Sequence, residues 1–284
     1  MEQKIIRITL RLILYVILTL GVVIMVFPYL YMLSTSFKSS HEIVNNVAYF
    51  YLIPKELTFS NYKEIFKIIP LLNGFKNTLI IEFFVIIVGT FTTTLAAFSF
   101  AKLKFPGKNF IFMMLLSGMM IPYVALMTPQ YAAFTKLGMV DTLLPLILPG
   151  LFGNTAMMFF LRQYARSIPD TIFEAAKIDG ASYFRQYWNI FIPTAAPAIA
   201  AHVIFWFLGI WNDVLAPDIY LTTLENKTIQ VMLQYLNTQT GSGTIKNLPL
   251  IMAGSVLSSI PILALYISFQ KYFVNTLALS GIVE

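Results

Sequence analysis

Residues 12–33, LILYVILTLGVVIMVFPYLYML, form an apolar run without a single charge. A helix needs about 20 such residues to cross the hydrocarbon core of a bilayer. Comparable segments follow at 74–101, 110–130, 142–164, 194–216 and 250–270, so the expected fold is an all-α integral membrane domain of six transmembrane helices spanning residues 1–284. The charge content agrees. Only 11% of residues are charged and 58% are hydrophobic, whereas soluble domains carry about 25% charged residues. So few charges cannot coat a soluble surface of this size. The N-terminal run lacks a small-residue cleavage pattern and is expected to stay as the first span rather than leave as a signal peptide.

Orientation follows from lysine and arginine. Lys4, Arg7 and Arg11 precede the first span, and Lys102, Lys104 and Lys108 crowd a short loop without an acid. Arg162 and Arg166 end the fourth span. Basic residues gather in the short loops on the cytoplasmic side, which places both termini and the 102–108 loop on the cytoplasmic side of a bacterial cell membrane. The net charge of +6 is spent on topology and forms no patch for nucleic acid. Pro122 and Pro129 can bend the third span. Pro145, Pro149, Gly150 and Gly153 interrupt the fourth, and such breaks survive in lipid only where neighbours or a cavity satisfy the freed backbone groups.

Catalytic chemistry has little to work with. There are no cysteines and two histidines, no cluster at metal-ligand spacing, and no G-x-x-x-x-G-K-[ST] phosphate loop. No cofactor, metal or catalytic residue is therefore expected in this chain. His202 reads as a packed or cavity-facing histidine. Glu82, a carboxylate within the second span, is costly there and is expected to snorkel or to pair with Lys76. Trp211, Asn212 and Asp213 crowd the end of the fifth span, and Met120 belongs to a methionine-rich third span. These four are the candidates for lining a path. Asp213 serves either structural pairing or a substrate hydrogen bond.

The polar stretch at 165–193 contains EAAKIDGASYFRQYWNIFIP, residues 174–193. A helix is expected over 171–178, because Ile172, Ala175, Ala176 and Asp179 recur at helical spacing. Gly180 should end it in a left-handed conformation. Ser182 should cap a second helix over 183–191, with Pro193 after it.

This stretch resembles the EAA loop of ABC importer permeases in Glu174, Ala175, Ala176, Asp179, Gly180, Ile190 and Pro193. Other segments are similar to the carbohydrate-importer branch of that family, the binding-protein-dependent, maltose-type inner-membrane permeases. They are PYLYMLSTSFK at 28–38, Asn77-Thr78-Leu79, FPGK at 105–108, LGMVDT at 137–142, Trp211-Asn212-Asp213, and Lys227-Thr228-Ile229. The resemblance implies the type I importer permease fold and one half of a translocation path for a sugar or oligosaccharide. It implies a second homologous permease, two ATP-binding subunits that hold ATP and Mg, and an extracytoplasmic solute-binding protein. It makes Glu174, Ala175, Ala176, Asp179, Gly180 and Pro193 the residues that couple to the ATPase, and suggests Gly241, Ser242 and Gly243 as a contact for the binding protein. A non-sugar solute such as a glycerol phosphate is the alternative cargo. A secondary transporter is a different class, but it would want inverted repeats and midplane acids, which the sequence does not offer.

Overall fold

The computed structural model describes residues 2–45, 51–239 and 247–280, and all their regular structure is helical. Four helices are long and apolar enough to cross a membrane: Ile6–Ser36, Leu71–Lys102, Leu144–Ser167 and Leu248–Gln270. Two bent pairs, Lys108–Gly118 with Tyr123–Lys136 and Tyr183–Thr194 with Ala196–Trp211, raise the number to six if each pair is one span.

The chain divides into two compact units. The first comprises Met1–Pro70 and Leu233–Ile260. Its long N-terminal helix, Glu2–Ser36, contains Pro28 and ends in a polar knot. Lys38 is 1% exposed, yet its ammonium donates to the Tyr51 carbonyl at 2.6 Å and lies 4.0 Å from the Tyr51 ring centre. A carbonyl and an aromatic face together offset the desolvation of a buried cation. Asn61, at the start of the Ser60–Ile68 helix, donates to the carbonyls of both Ser36 and Lys38.

The second unit comprises Leu71–Met232 and Pro261–Glu284. The second span contains a π-helical turn at Val85–Gly89. There the backbone comes very close to the fourth span: a Cβ on Gly89 would lie 2.4 Å from the Gly150 carbonyl oxygen and 2.5 Å from the Trp206 ring. The fourth span is broken at 152–154, where Gly153 takes φ +96°. Its freed groups find partners on the second span. Thr92 donates to the Leu151 carbonyl at 2.9 Å, and the Thr93 hydroxyl accepts from the Asn154 N–H at 3.0 Å. Asn154 then caps the Thr155–Ser167 helix by accepting from the Met157 N–H. Neighbouring hydroxyls of the second span therefore satisfy backbone groups at this break.

The third span departs from a simple bend. Pro122 is extended, with ψ 134°, and separates two helices at 93°. Tight i→i−3 bonds at Met119, Met120 and Ile121 close the turn. Pro129 stays inside the second of these helices.

Candidate functional site

Residues 165–195 fold onto the second span through an aromatic core. Phe98, Ala165, Ile168, Phe173, Tyr187, Phe191 and Ala195 are buried together. Phe98 alone meets the rings of Phe173, Tyr187 and Phe191 at 5.6–6.0 Å, and Tyr187 shares a 2.8 Å hydrogen bond with Thr94. Helix Asp170–Ile178 buries one residue, Phe173. That single aromatic wedge sets which face of the short helix is turned inward.

Lys102, at the end of the second span, fastens the start of this helix. Its ammonium donates to the Ile168 carbonyl and to the Asp170 carboxylate, each at 2.6 Å, and lies 4.8 Å from the Phe173 ring centre. The hydrogen bond and charge of Lys102 hold the Asp170 carboxyl below the usual carboxylate range. In the sequence Lys102 stands out only as a marker of topology, and this anchoring role does not show. The signal was a lysine at a helix end whose stem could run back along an aromatic. Arg162 is a second basic residue absorbed by packing. It donates to the Phe100 carbonyl at 3.1 Å, with its guanidinium 3.9 Å from the Phe112 ring centre.

The helix ends as its residues require. Gly180 has φ +76°, and the Ala181 N–H bonds back to the Ala176 carbonyl at 2.9 Å. Such a left-handed stop costs an ordinary residue about 1–2 kcal/mol and glycine nothing. The Ser182 side chain accepts from the Arg185 N–H and caps the next helical segment. That segment runs through a π turn at Tyr187–Phe191 and continues past Pro193 to Thr194. Pro193 therefore lies inside the segment rather than after it, in the first turn of a short helix where its missing N–H is tolerated.

Glu174, Ala175, Asp179 and Gly180 are exposed and Ala176 is half-buried. Among the described residues Glu174 forms no ion pair with Lys177 or Arg185. Ile178 is 87% exposed and Ile172 is 46% exposed, so the helix presents apolar side chains to its surroundings. Behind it lies an open groove of about 200 Å³ lined by Ala176, Asp179, Ala181, Arg185, Asn189 and Ile190.

The path candidates separate. Trp211 is fully buried, stacked on Phe207 at 5.4 Å and tilted against Phe75 at 6.1 Å. It is a core residue, and an apolar ring of that size belongs there. Asn212 is exposed and bonds its own helix at the Leu208 carbonyl. Asp213 accepts from the Ala216 N–H at 3.4 Å, at the start of helix Leu215–Tyr220, and also lines a small crevice with Thr78, Leu146 and Thr228. Met120 is 84% exposed in the turn before Pro122. Gly241, Ser242 and Gly243 lie outside the described residues. His202 is buried with both ring nitrogens unpartnered, 4.9 Å from the Trp206 ring. It borders an apolar crevice of about 250 Å³. Glu82 neither snorkels nor pairs with Lys76: it is 4% exposed and both its oxygens lack a partner. No cluster of metal-binding side chains occurs among the described residues.

Residues 86–278 match the family described as binding-protein-dependent transport system inner membrane component. The chain is 33% identical over 260 residues to the arabinooligosaccharides transport system permease protein AraQ of Halalkalibacterium halodurans, covering 91% of each. Its fold is similar to that of a bacterial ABC transporter involved in the import of the acidic polysaccharide alginate, with TM-score 0.81 and 22% identity over 92% of this chain and 95% of that one. A bacterial alginate ABC transporter in complex with an alginate pentasaccharide-bound periplasmic protein is similar at TM-score 0.63, with 16% identity over 90% and 92% of the two chains. The chain belongs to the binding-protein-dependent transport system inner membrane components, the membrane-spanning permease subunits of ABC importers.

Proposed function

We propose that this permease forms one half of a path for an oligosaccharide, and that helix Asp170–Ile178 receives the thrust of an ATP-hydrolysing partner. The observation that carries this is the build of the helix. Phe173 and Lys102 lock its inner side to the second span, while Ile172, Ala175 and Ile178 stand uncovered on a short helix that ends at a left-handed glycine. An apolar outer face on a rigidly anchored helix suits a protein groove, and a push there passes directly into Phe98 of the second span. The oligosaccharide assignment draws on the sugar cargo named for the relatives. A second permease, two ATPase subunits holding ATP and Mg, and an extracytoplasmic binding protein complete the assembly. Both termini and residues 162–191 face the ATP side. The nucleotide biases two arrangements of the spans, inward-open and outward-open.

The test uses the complete complex in vesicles, with binding protein outside, ATP inside, and a panel of radiolabelled arabino-, malto- and chito-oligosaccharides plus glycerol 3-phosphate. ATP-dependent accumulation of one oligosaccharide is expected. Accumulation of glycerol 3-phosphate alone would contradict the cargo class. Uptake without ATP would contradict the mechanism, and uptake with binding protein and ATP on the same face would contradict the orientation.

A further inference from the structure

Three motifs that the coupling loop leaves unexplained meet on one backbone segment, residues 220–229. The first is LGMVDT at 137–142. Its Asp141 is the one described non-glycine residue with positive φ, at 63°. The Asp141 carboxylate accepts from the Thr222 and Thr223 N–H groups, each at 2.8 Å, and from the Thr223 hydroxyl. Its own N–H donates to the Tyr220 carbonyl at 2.8 Å, and its carbonyl accepts from the Asn226 amide at 2.8 Å. The second motif opens the second span. The Asn77 amide donates to the carbonyls of Glu225 at 2.8 Å and Lys227 at 3.1 Å, and the Thr78 hydroxyl accepts from the buried Ile229 N–H at 3.0 Å. The third motif is the held segment itself, Lys227-Thr228-Ile229, with Lys227 paired to Asp218 at 2.9 Å.

We propose that Asp141 and Asn77 are positioning residues that join the 137–142 connection, the start of the second span and the 220–229 segment into one body that moves as a unit through the transport cycle. A loop normally satisfies its backbone groups with water, and its parts can slide past each other at little cost. Here backbone donors and acceptors from one segment are spent on three side chains from elsewhere in the chain, Asp141, Asn77 and Thr78. A strained Asp141 backbone is kept because the surrounding bonds over-determine it. Sliding would break several of these bonds together, so the elements rock as one block. This inference rests on the import reading for its functional consequence, and its geometric content stands apart from that reading.

The complex reconstituted in vesicles carries Val140→Cys and Thr222→Cys, which leave Asp141 and Asn77 in place, and Thr222 enters the clamp through its backbone N–H, which cysteine keeps; this chain has no cysteine of its own. Spin labels at the two positions should give the same distance distribution in nucleotide-free and vanadate-trapped complexes, and a short thiol cross-link between them should leave uptake near that of the reduced sample. Asp141→Ala should lower uptake roughly tenfold, the scale of losing the net contribution of a hydrogen bond to a charged group, with membrane level and ATPase retention unchanged. A label distance that shifts on trapping, or a cross-link that stops uptake until reductant is added, would overturn the clamp. Full uptake by Asp141→Ala would overturn the role of that residue. If Asp141→Ala does not insert, the label distance and the cross-link decide. If the wild-type complex imports no oligosaccharide, the import reading falls and the label distances still decide the clamp.

Discussion

Lys102 and Asp141 each fasten a connection to a backbone that would otherwise be free, but they differ in environment. Lys102 is nearly buried at its side chain, 6% exposed, while its partner Asp170 is 79% exposed. Solvent therefore screens that ion pair, and the bond to the Ile168 carbonyl and the contact with Phe173 hold the helix start more than the charge does. At Asp141 partial burial pushes the carboxyl up, but bonds from the Thr223 hydroxyl and N–H, the Thr222 N–H and Asn226 outweigh it and hold it down at about 2, from 3.8. A depressed folded-state value means that the ionised clamp stabilises fully above about pH 4 and loses that contribution as pH falls from 3.8 toward 2. Melting temperatures in detergent should show this in the difference between wild type and Asp141→Asn. The gap should be constant from pH 5 to pH 8 and shrink below about pH 4. A gap that instead closes between pH 6 and pH 8 would show that another group sets it.

Element by element, the sequence was most readable where one residue dictates one conformation. Gly180 stops its helix at positive φ and Ser182 caps the next, as their chemistry requires. Proline was less readable. Pro122 and Pro129 are the same residue seven positions apart, yet one separates two helices at 93° and the other sits within a helix. The difference lies in whether the preceding turn can close its own carbonyls, which periodicity does not reveal. The π turn at Val85–Gly89 was also hidden; it lies where Gly150 and Trp206 approach from segments far away in sequence. Trp211 misled in the other direction: a tryptophan at a span end reads as path or interface, and only packing against Phe75 and Phe207 shows it to be core. The close approach at Gly89 gives a sharp expectation. Gly89→Ala forces a methyl to 2.4 Å from a carbonyl oxygen that belongs to backbone, and overpacking of that kind costs about 1–3 kcal/mol. Gly209→Ala, with nothing within 4 Å of the new methyl, is the control. The purified Gly89 variant should melt several degrees lower and the Gly209 variant should match wild type; equal melting of Gly89→Ala and wild type would deny that the second and fourth spans touch there.

In the proposed coupling, residues 165–195 act as a lever on the whole permease. Its inner side is fixed to the second span through Phe98, Phe173 and Lys102, and its outer face is left for the ATPase. The fold and the family were legible in the apolar runs and in the spacing of Glu174, Ala176, Gly180 and Pro193. The lever's anchoring was not, because it joins residues about 70 positions apart. The most direct test is the number of ATPase subunits retained per purified complex, read by native mass spectrometry, in Ala176→Leu and Gly180→Val. The larger side chain at 176 projects into the groove it lines with Arg185 and Ile190. Valine at 180 meets open space but must adopt φ +76°, a strain of at least about 1–2 kcal/mol. Both variants should insert and pair with the sister permease, and both should lose ATPase subunits. Full ATPase occupancy in both variants, with wild-type uptake in vesicles, would contradict the account and reduce residues 165–195 to a connection between spans.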